Sequence, residues 1–175
     1  MSTTHVTDIN GQYSLPIENA SNDLLKQFTD DEIIAKAYKI LEKRALNSKG
    51  EFLESPDAVK KLFQLRHSGL TRETFDVAFL TQRHTLIEVR TIFVGSVSEC
   101  SVYPREIIRA IIETNCCAIV LSHGHPSNIS AEPSRADIEI TAIVKKAIIH
   151  TGARLLDHIV TTDGATCSLA ERGEV

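Results

Sequence analysis

The sequence predicts an α/β fold in which a mixed β-sheet is flanked by helices on its faces. Two observations lead to this prediction. From residue 73 onward, runs of β-branched and aromatic residues alternate with segments of helical spacing, in the order β-β-α-β-α-β-β. The chain has 175 residues, of which 42% are hydrophobic and 24% charged, as in ordinary globular proteins. Disordered, collagen-like and solenoid classes are therefore excluded, and the length suits one domain with a small appendage.

The N-terminal part is predicted to differ from the rest of the chain. Residues 1–50 are interpreted as a tail with one or two helices, and residues 51–175 as the main domain. Residues 1–20 are polar and show no periodicity. The motif Thr29-Asp30-Asp31-Glu32 is a capping box ahead of an apolar helix face. Ser55-Pro56 predicts the start of a second helix, with an N-cap and a proline at the first helical position.

The later elements follow from local signals. Two strands are predicted on either side of Gln82-Arg83-His84, and Tyr103-Pro104 opens a helix. In the next run, Cys116 and Cys117 are interpreted as small buried hydrophobes. The remaining predictions are a buried strand over 116–121, a loop from 122 to 133, a helix over 134–150 that stops at Gly152, and strands over 155–162 and 166–169.

Charge and cysteine content limit the partners. The net charge is −4, so nothing in the overall balance supports a nucleic-acid partner. No signal-peptide pattern and no apolar run of about 20 residues occurs, so a cytoplasmic protein without membrane association is expected. The four cysteines form no C-x-x-C pair and are expected to be reduced thiols. The predicted N-terminal helices are a candidate homo-oligomer contact.

The stretch His123-Gly124-His125-Pro126 carries the clearest chemical signal. Side chains alternate along an extended chain, so His123 and His125 point to the same side and can share one metal ion. Pro126 favours the extended conformation of His125, and Gly124 removes bulk between the rings. Two imidazoles suit zinc, and a catalytic zinc needs a third protein ligand with one position left open.

Asp137 is the candidate for that third ligand, and its motif has two interpretations. Ser134-x-x-Asp137 is an ordinary capping box, with Ser134 as the N-cap and Asp137 in the first helical turn. A carboxylate in the first turn also faces the loop upstream and can close a His-His-Asp site. One oxygen cannot easily serve both roles, and the sequence leaves the choice open.

The combination of motifs resembles a known family. His-x-His-Pro with Ser-x-x-Asp is similar to the zinc motif of the JAMM (MPN+) metallopeptidases, and the wider frame resembles their bacterial RadC-like branch. The likeness covers roughly residues 55–171, and it rests on four motifs: Val102-Tyr103-Pro104-Arg105-Glu106, His123-Gly124-His125-Pro126-Ser127, Pro133-Ser134-x-x-Asp137-Ile138 and Leu156-Asp157-His158-Ile159.

The resemblance implies a JAB/MPN architecture, which is related to the cytidine deaminases, and a catalytic zinc site. His123, His125 and Asp137 would hold the zinc, with a water as fourth ligand. Ser134 would donate a hydrogen bond to the developing oxyanion. The family's catalytic glutamate falls on Glu73, which would move a proton from the water to the leaving amine. Glu106 is the reserve for that role.

Two departures from the family pattern stand near the metal motif. Gly124 and Asn128 occupy positions where the family commonly has Asn and Gly, respectively. The loop between Pro126 and Ser134 is one residue longer than is usual in the RadC-like branch. A loop can absorb the extra residue.

The motifs and the resemblance leave two candidate functions. The first is a zinc-dependent hydrolase that cleaves a peptide, isopeptide or related amide bond of an unidentified protein or peptide. The alternative is a binding or assembly module associated with DNA repair or mobile elements, with a structural or vestigial metal site. A nucleobase deaminase is excluded because the chain has neither H-x-E nor P-C-x-x-C.

Other histidines receive simpler interpretations. His67, His84 and His150 are predicted to lie at the surface. For the pair Asp157-His158, a place beside the site and a structural hydrogen bond at a strand start are left as equal alternatives.

Overall fold

The computed structural model describes residues 5–7, 14–16, 28–47, 56–95, 102–126 and 130–175. The helices within these residues are α1 (Asp30–Asn47), α2 (Pro56–His67), α3 (Pro104–Thr114) and α4 (Arg135–Ala147), followed by a 3₁₀ turn at Ile149–Thr151. The strands are β1 (His5–Thr7), β2 (Ser14–Pro16), β3 (Thr74–Leu80), β4 (Leu86–Val94), β5 (Ala118–Gly124), β6 (Arg154–Thr161) and β7 (Thr166–Ser168). The chain divides into two compact units, Met1–Lys36 and Ala37–Val175.

The first unit holds a small hairpin and the beginning of α1. Strands β1 and β2 pair in antiparallel fashion, in a segment where the sequence pattern predicts no regular element. Three-residue strands are too short to show an alternation of polar and apolar residues, which explains the miss. The predicted capping box is confirmed: the Thr29 N–H donates to Glu32 Oε2 at 2.8 Å, and the Glu32 N–H donates to Thr29 Oγ1 at 3.3 Å.

The second unit contains a mixed five-stranded sheet, which confirms the predicted fold class. The strand order is β4-β3-β5-β6-β7, with β5 and β6 parallel and every other pair antiparallel. Helix α4 forms the crossover between the two parallel strands. Among the described residues, no helix is both long and apolar enough to cross a membrane.

The alternation of side chains divides the core between the two sheet faces. On one face, Phe75, Val77 and Phe79 of β3 pack in a cluster with apolar residues of α3 and α4. On the opposite face, Ala78 and Leu80 pack in a second cluster with α2, and residues of α1 pack against it. Helices therefore cover both faces, as predicted.

Two predicted element boundaries are wrong. Strand β5 does not end at residue 121 but continues through Gly124, because residues 122–124 pair with both β3 and β6. The helix predicted over 134–150 ends at Ala147 and is followed by the 3₁₀ turn, which Gly152 terminates at φ 79°. The extension of β5 matters most, since it places His123 inside the sheet.

Candidate metal centre

Strand β5 positions the two histidines of the His-x-His motif. His123 is aligned with Phe75 of β3 and Val160 of β6. Its ring stacks on that of Phe75, with centroids 6.3 Å apart and planes 6° apart. His125 lies one residue beyond the strand, where its backbone N–H donates to the Thr161 carbonyl at 2.8 Å. The two rings meet on one side of the chain, with their Nε2 atoms 3.0 Å apart.

The N-terminal end of α4 brings Asp137 to the same point. Its Oδ1 lies 3.2 Å from His123 Nε2, and its Oδ2 lies 3.9 Å from His125 Nε2. One candidate ligand atom from each of the three residues lies within 4.8 Å of the others. Zinc bonds of about 2.0–2.1 Å in a tetrahedron separate neighbouring ligand atoms by roughly 3.3 Å. The three side chains therefore converge at a spacing that suits one metal ion.

The carboxylate of Asp137 takes part in the helix cap through one oxygen and leaves the other toward the candidate ligands. Oδ2 accepts hydrogen bonds from the backbone N–H and from the hydroxyl of Ser134, both at 2.7 Å. In return, the Asp137 N–H donates to Ser134 Oγ at 3.2 Å. Oδ1 faces His123. Burial raises the pKa of Asp137, but His123 and the bonds from Ser134 outweigh it and lower the pKa well below its usual range. The helix cap thus holds an ionised candidate ligand in place.

A chain of hydrogen bonds behind His123 fixes which ring nitrogen carries a proton. The Thr141 hydroxyl donates to the Asp137 carbonyl at 2.5 Å, so its oxygen can only accept from His158 Nδ1, 2.6 Å away. Burial lowers the pKa of His158 well below its usual range, so the ring is neutral and its Nε2 has a lone pair. That lone pair faces His123 Nδ1 at 2.9 Å, which must therefore donate. With Nδ1 turned to His158, Nε2 is the His123 nitrogen that faces Asp137.

The same reasoning applies to His125. Its Nδ1 lies 2.8 Å from the Ser130 carbonyl oxygen, which can only accept, so Nδ1 carries the proton. The Nε2 atoms of the two histidines and the two oxygens of Asp137 thus face each other at 3.0–3.9 Å. Such an arrangement needs positive charge between the three groups, and this donor set suits a divalent metal ion.

A cavity of about 190 Å³ lies beside two of these three groups. Glu73 lines this cavity together with His123 and Asp137. It directly precedes β3, and its carbonyl accepts the Gly95 N–H at 2.8 Å. Glu106, the reserve candidate, is not among the lining residues and instead contacts Arg105 at 3.2 Å and Arg109 at 2.9 Å. The geometry therefore favours Glu73 as the carboxylate that can act beside a bound metal.

Comparison with known proteins identifies the family. The sequence model of the protein family described as RadC-like JAB domain matches residues 53–174. The chain belongs to the RadC-like JAB domain family. A UPF0758 protein of Vibrio cholerae serotype O1 is 39% identical over 148 residues, which cover 85% of this chain and 92% of the relative. A UPF0758 protein of Marinomonas sp. (strain MWYL1) is 50% identical over 112 residues, 64% of this chain and 49% of the relative.

The relatives define the family but not a reaction. The chain spans about half the length of the Marinomonas relative and nearly the whole of the Vibrio relative. Their names state no activity. Membership in the RadC-like JAB domain family, predicted from the motifs, is confirmed.

In this JAB domain, Asp157 and His158 have different surroundings, and neither lies at the start of β6, which begins at Arg154. His158 lies behind the candidate metal ligands, buried between His123 and Thr141. Asp157 instead accepts hydrogen bonds from the Ser168 hydroxyl at 2.6 Å and from the Ala170 N–H at 2.9 Å. These bonds hold the chain in place at the end of β7. Neighbouring residues of β6 point to opposite faces of the sheet, so the pair divides its roles.

Gly124 departs from the usual family residue because another side chain occupies the space beside it. A Cβ at position 124 would lie 2.9 Å from the His67 Cβ and 3.1 Å from its Cγ. The second departure, Asn128 and the longer loop, falls mostly on residues 127–129, which lie outside the described residues. Beyond them, the Ser130 carbonyl still reaches His125.

His67 was predicted to lie at the surface, and that prediction is wrong. The ring is 7% exposed, its Nε2 lies 2.7 Å from Asp76 Oδ2, and its Nδ1 lies 2.7 Å from Thr161 Oγ1. Asp76 Oδ1 also accepts from Arg66 Nε at 2.9 Å and from the Thr91 hydroxyl. A single aspartate in the apolar run of β3 was the available signal, since a buried carboxylate needs partners.

Gly124→Ala is expected to destabilise the protein and weaken metal binding together. His67 cannot move away because both its ring nitrogens are bonded, so the strand end between the two histidines must shift. Overpacking of this kind costs about 1–3 kcal/mol of the free energy of unfolding. Urea denaturation measures the stability, and zinc titration against a competing chelator measures the affinity.

Gly164→Ala is the matched control, because a Cβ at that position would meet nothing within 4 Å. It should change neither quantity. Equal behaviour of the two variants would show that His67 does not restrict the backbone at Gly124.

Proposed function

We propose that this JAB domain is a zinc-dependent hydrolase that cleaves a peptide, isopeptide or related amide bond. The observation that carries the proposal is the convergence of His123, His125 and Asp137 ligand atoms, two of whose residues, His123 and Asp137, line one cavity with Glu73. Three protein donors beside an open cavity are typical of catalytic zinc sites, whereas structural sites have four protein ligands.

His123, His125 and Asp137 would hold a zinc ion, which would supply Lewis acidity and bring the pKa of water to about 7. The surrounding residues orient these three side chains. His158 and Thr141 keep Nε2 of His123 toward the site, and the Ser134 cap keeps the Asp137 carboxylate in place. Removing an outer contact of this kind typically lowers metal affinity 10–100-fold.

Glu73 is the group that moves the proton in this proposal. Its carboxylate takes a proton from the attacking water and delivers it to the amine nitrogen as the C–N bond breaks, so that the amine leaves neutral. Ser134 as a hydrogen-bond donor to the oxyanion stays a prediction. Its hydroxyl proton is directed to Asp137 Oδ2 at 2.7 Å, so that role requires the hydroxyl to turn toward the substrate.

The test begins with metal content and continues with cleavage. The full chain is loaded with zinc, dialysed and analysed for bound metal, with one zinc per chain expected. The loaded protein is then incubated with a mixed peptide library and with isopeptide-linked conjugates, and new termini are identified by mass spectrometry. Cleavage that disappears after chelation and returns with zinc supports the proposal. Bound zinc without any turnover favours the alternative, a binding or assembly module with a structural metal.

A further inference from the structure

The cavity beside the candidate ligands has an apolar wall that the proposed reaction does not use. Its lining consists of Phe75, Val102, Ala136 and Ile140 in addition to Glu73, His123 and Asp137. The first four side chains contain only carbon and hydrogen. They come from β3, from the segment before α3, and from α4, so three separate elements build one apolar surface around the open side of the site.

The inner end of this wall is firmly packed. Phe75 is 3% exposed and is held between the rings of His123 and Phe93, with centroids 6.3 and 6.2 Å away. Val102 and Ile140 pack against the same core cluster. The surface is therefore preformed, and an apolar group that enters it gains burial without first ordering the wall.

The charges of the cavity restrict what can enter. Its charged side chains are Glu73 and Asp137, both acidic, and Asp137 belongs to the candidate metal ligands. An anionic group would approach the Glu73 carboxylate between apolar walls, without a cationic side chain among the lining residues. An ammonium group would lose its hydration between apolar walls, and the Glu73 carboxylate that could pair with it is the group assigned to proton transfer in the proposed reaction. An uncharged aliphatic group has neither cost.

We propose that this cavity binds an aliphatic side chain next to the scissile amide bond, so that the enzyme selects substrates with a leucine-like residue there. This inference rests on the proposed zinc hydrolase. The volume of about 190 Å³ leaves room for a branched four-carbon group beside a water, whose share of liquid volume is about 30 Å³.

Hydroxamates that bind zinc test this selection by binding alone. The zinc-loaded full chain is titrated calorimetrically with acetohydroxamate and with 4-methylpentanohydroxamate, which adds an isobutyl group. Succinic monohydroxamate and 4-aminobutanohydroxamate add an anionic and a cationic group. The isobutyl probe should bind at least about tenfold more tightly than acetohydroxamate, because each buried CH₂ contributes a few-fold and the group adds four carbons. The two charged probes should bind no more tightly than acetohydroxamate.

Two variants of α4 make the assignment specific. Ala136→Leu fills the cavity from an exposed helix position and should reduce the isobutyl preference to near unity. Ala142→Leu makes the same change at an exposed position of α4 that does not line the cavity, and the preference should persist.

The outcomes separate this inference from the proposed function. If zinc binds but the isobutyl and acetyl probes have equal affinity, or Ala136→Leu keeps the preference, the aliphatic selection is wrong while the hydrolase proposal stands. If the chain binds no zinc, both the hydrolase proposal and the aliphatic selection are wrong.

Discussion

Glu73→Gln is expected to lower turnover by about 10²–10⁴-fold while zinc stays bound, since this is the usual contribution of a general acid or base. Glutamine has nearly the shape of glutamate but cannot accept the proton of the attacking water. Glu73 lines the cavity without belonging to the three-residue ligand cluster, so zinc affinity should change little. Turnover on a substrate found in the library screen and zinc content after dialysis are measured on the same preparation.

Two further variants show whether the effect is specific to this carboxylate. His125→Ala removes a candidate ligand and should lose zinc and turnover together. Glu113→Gln makes the same chemical change on α3, where Glu113 contacts Arg90 and Arg109 outside the cavity, and should alter neither. Full turnover in Glu73→Gln would remove Glu73 from the mechanism and return Glu106 to consideration.

Asp76→Asn is expected to destabilise the protein by about 3–5 kcal/mol, the usual cost of removing one partner from a buried ion pair. The Asp76 side chain is 1% exposed and pairs with Arg66 at 2.9 Å and with His67 at 2.7 Å. An asparagine leaves Arg66 without its counter-charge on a side chain that is only 20% exposed. Urea denaturation at pH 7 measures the difference in the free energy of unfolding.

The pH dependence of that difference follows from the pKa of Asp76. Burial raises the pKa, but the hydrogen bond and charge of His67 and the charge of Arg66 outweigh it, so the pKa falls from 3.8 to about 2. A carboxyl group with a lowered folded-state pKa stabilises the protein above its unfolded pKa, and that stability is lost as the pH falls through the folded value. The advantage of the unsubstituted protein should therefore be full at pH 7 and shrink between about pH 5 and pH 2.

Asp57→Asn provides the control for the loss of charge alone. The Asp57 side chain is 91% exposed and lies 3.9 Å from Lys60. It should change the free energy of unfolding by less than about 1 kcal/mol, with little dependence on pH. A similarly small effect for Asp76→Asn would show that the buried network contributes little to stability.

The two histidines illustrate what local pattern predicts well. Alternation along an extended chain placed His123 and His125 on one side, and the structure has their Nε2 atoms 3.0 Å apart. The strand boundary was wrong, yet an extended chain and a strand alternate in the same way, so the error did not affect the site. The helix cap at Ser134 was likewise readable from four consecutive residues.

His67 and Asp157-His158 illustrate what local pattern misses. His67 was predicted to be a surface residue because nothing nearby in sequence shows that it packs against Asp76 and Thr161. The pair Asp157-His158 could not be divided between two roles until the sheet faces were assigned, since the register of β6 depends on its neighbours.

The sequence by itself determined the fold class, the family and the donor types for a metal ion, because these depend on residue identity and on spacings of a few positions. Only the tertiary structure decided which oxygen of Asp137 faces His123, which nitrogen of His123 faces Asp137, and that Glu73 lines the same cavity as these two residues. Glu73 and Asp137 belong to distant segments. Hydrogen-bond direction and cavity shape arise from contacts between such segments, so no spacing along the chain encodes them.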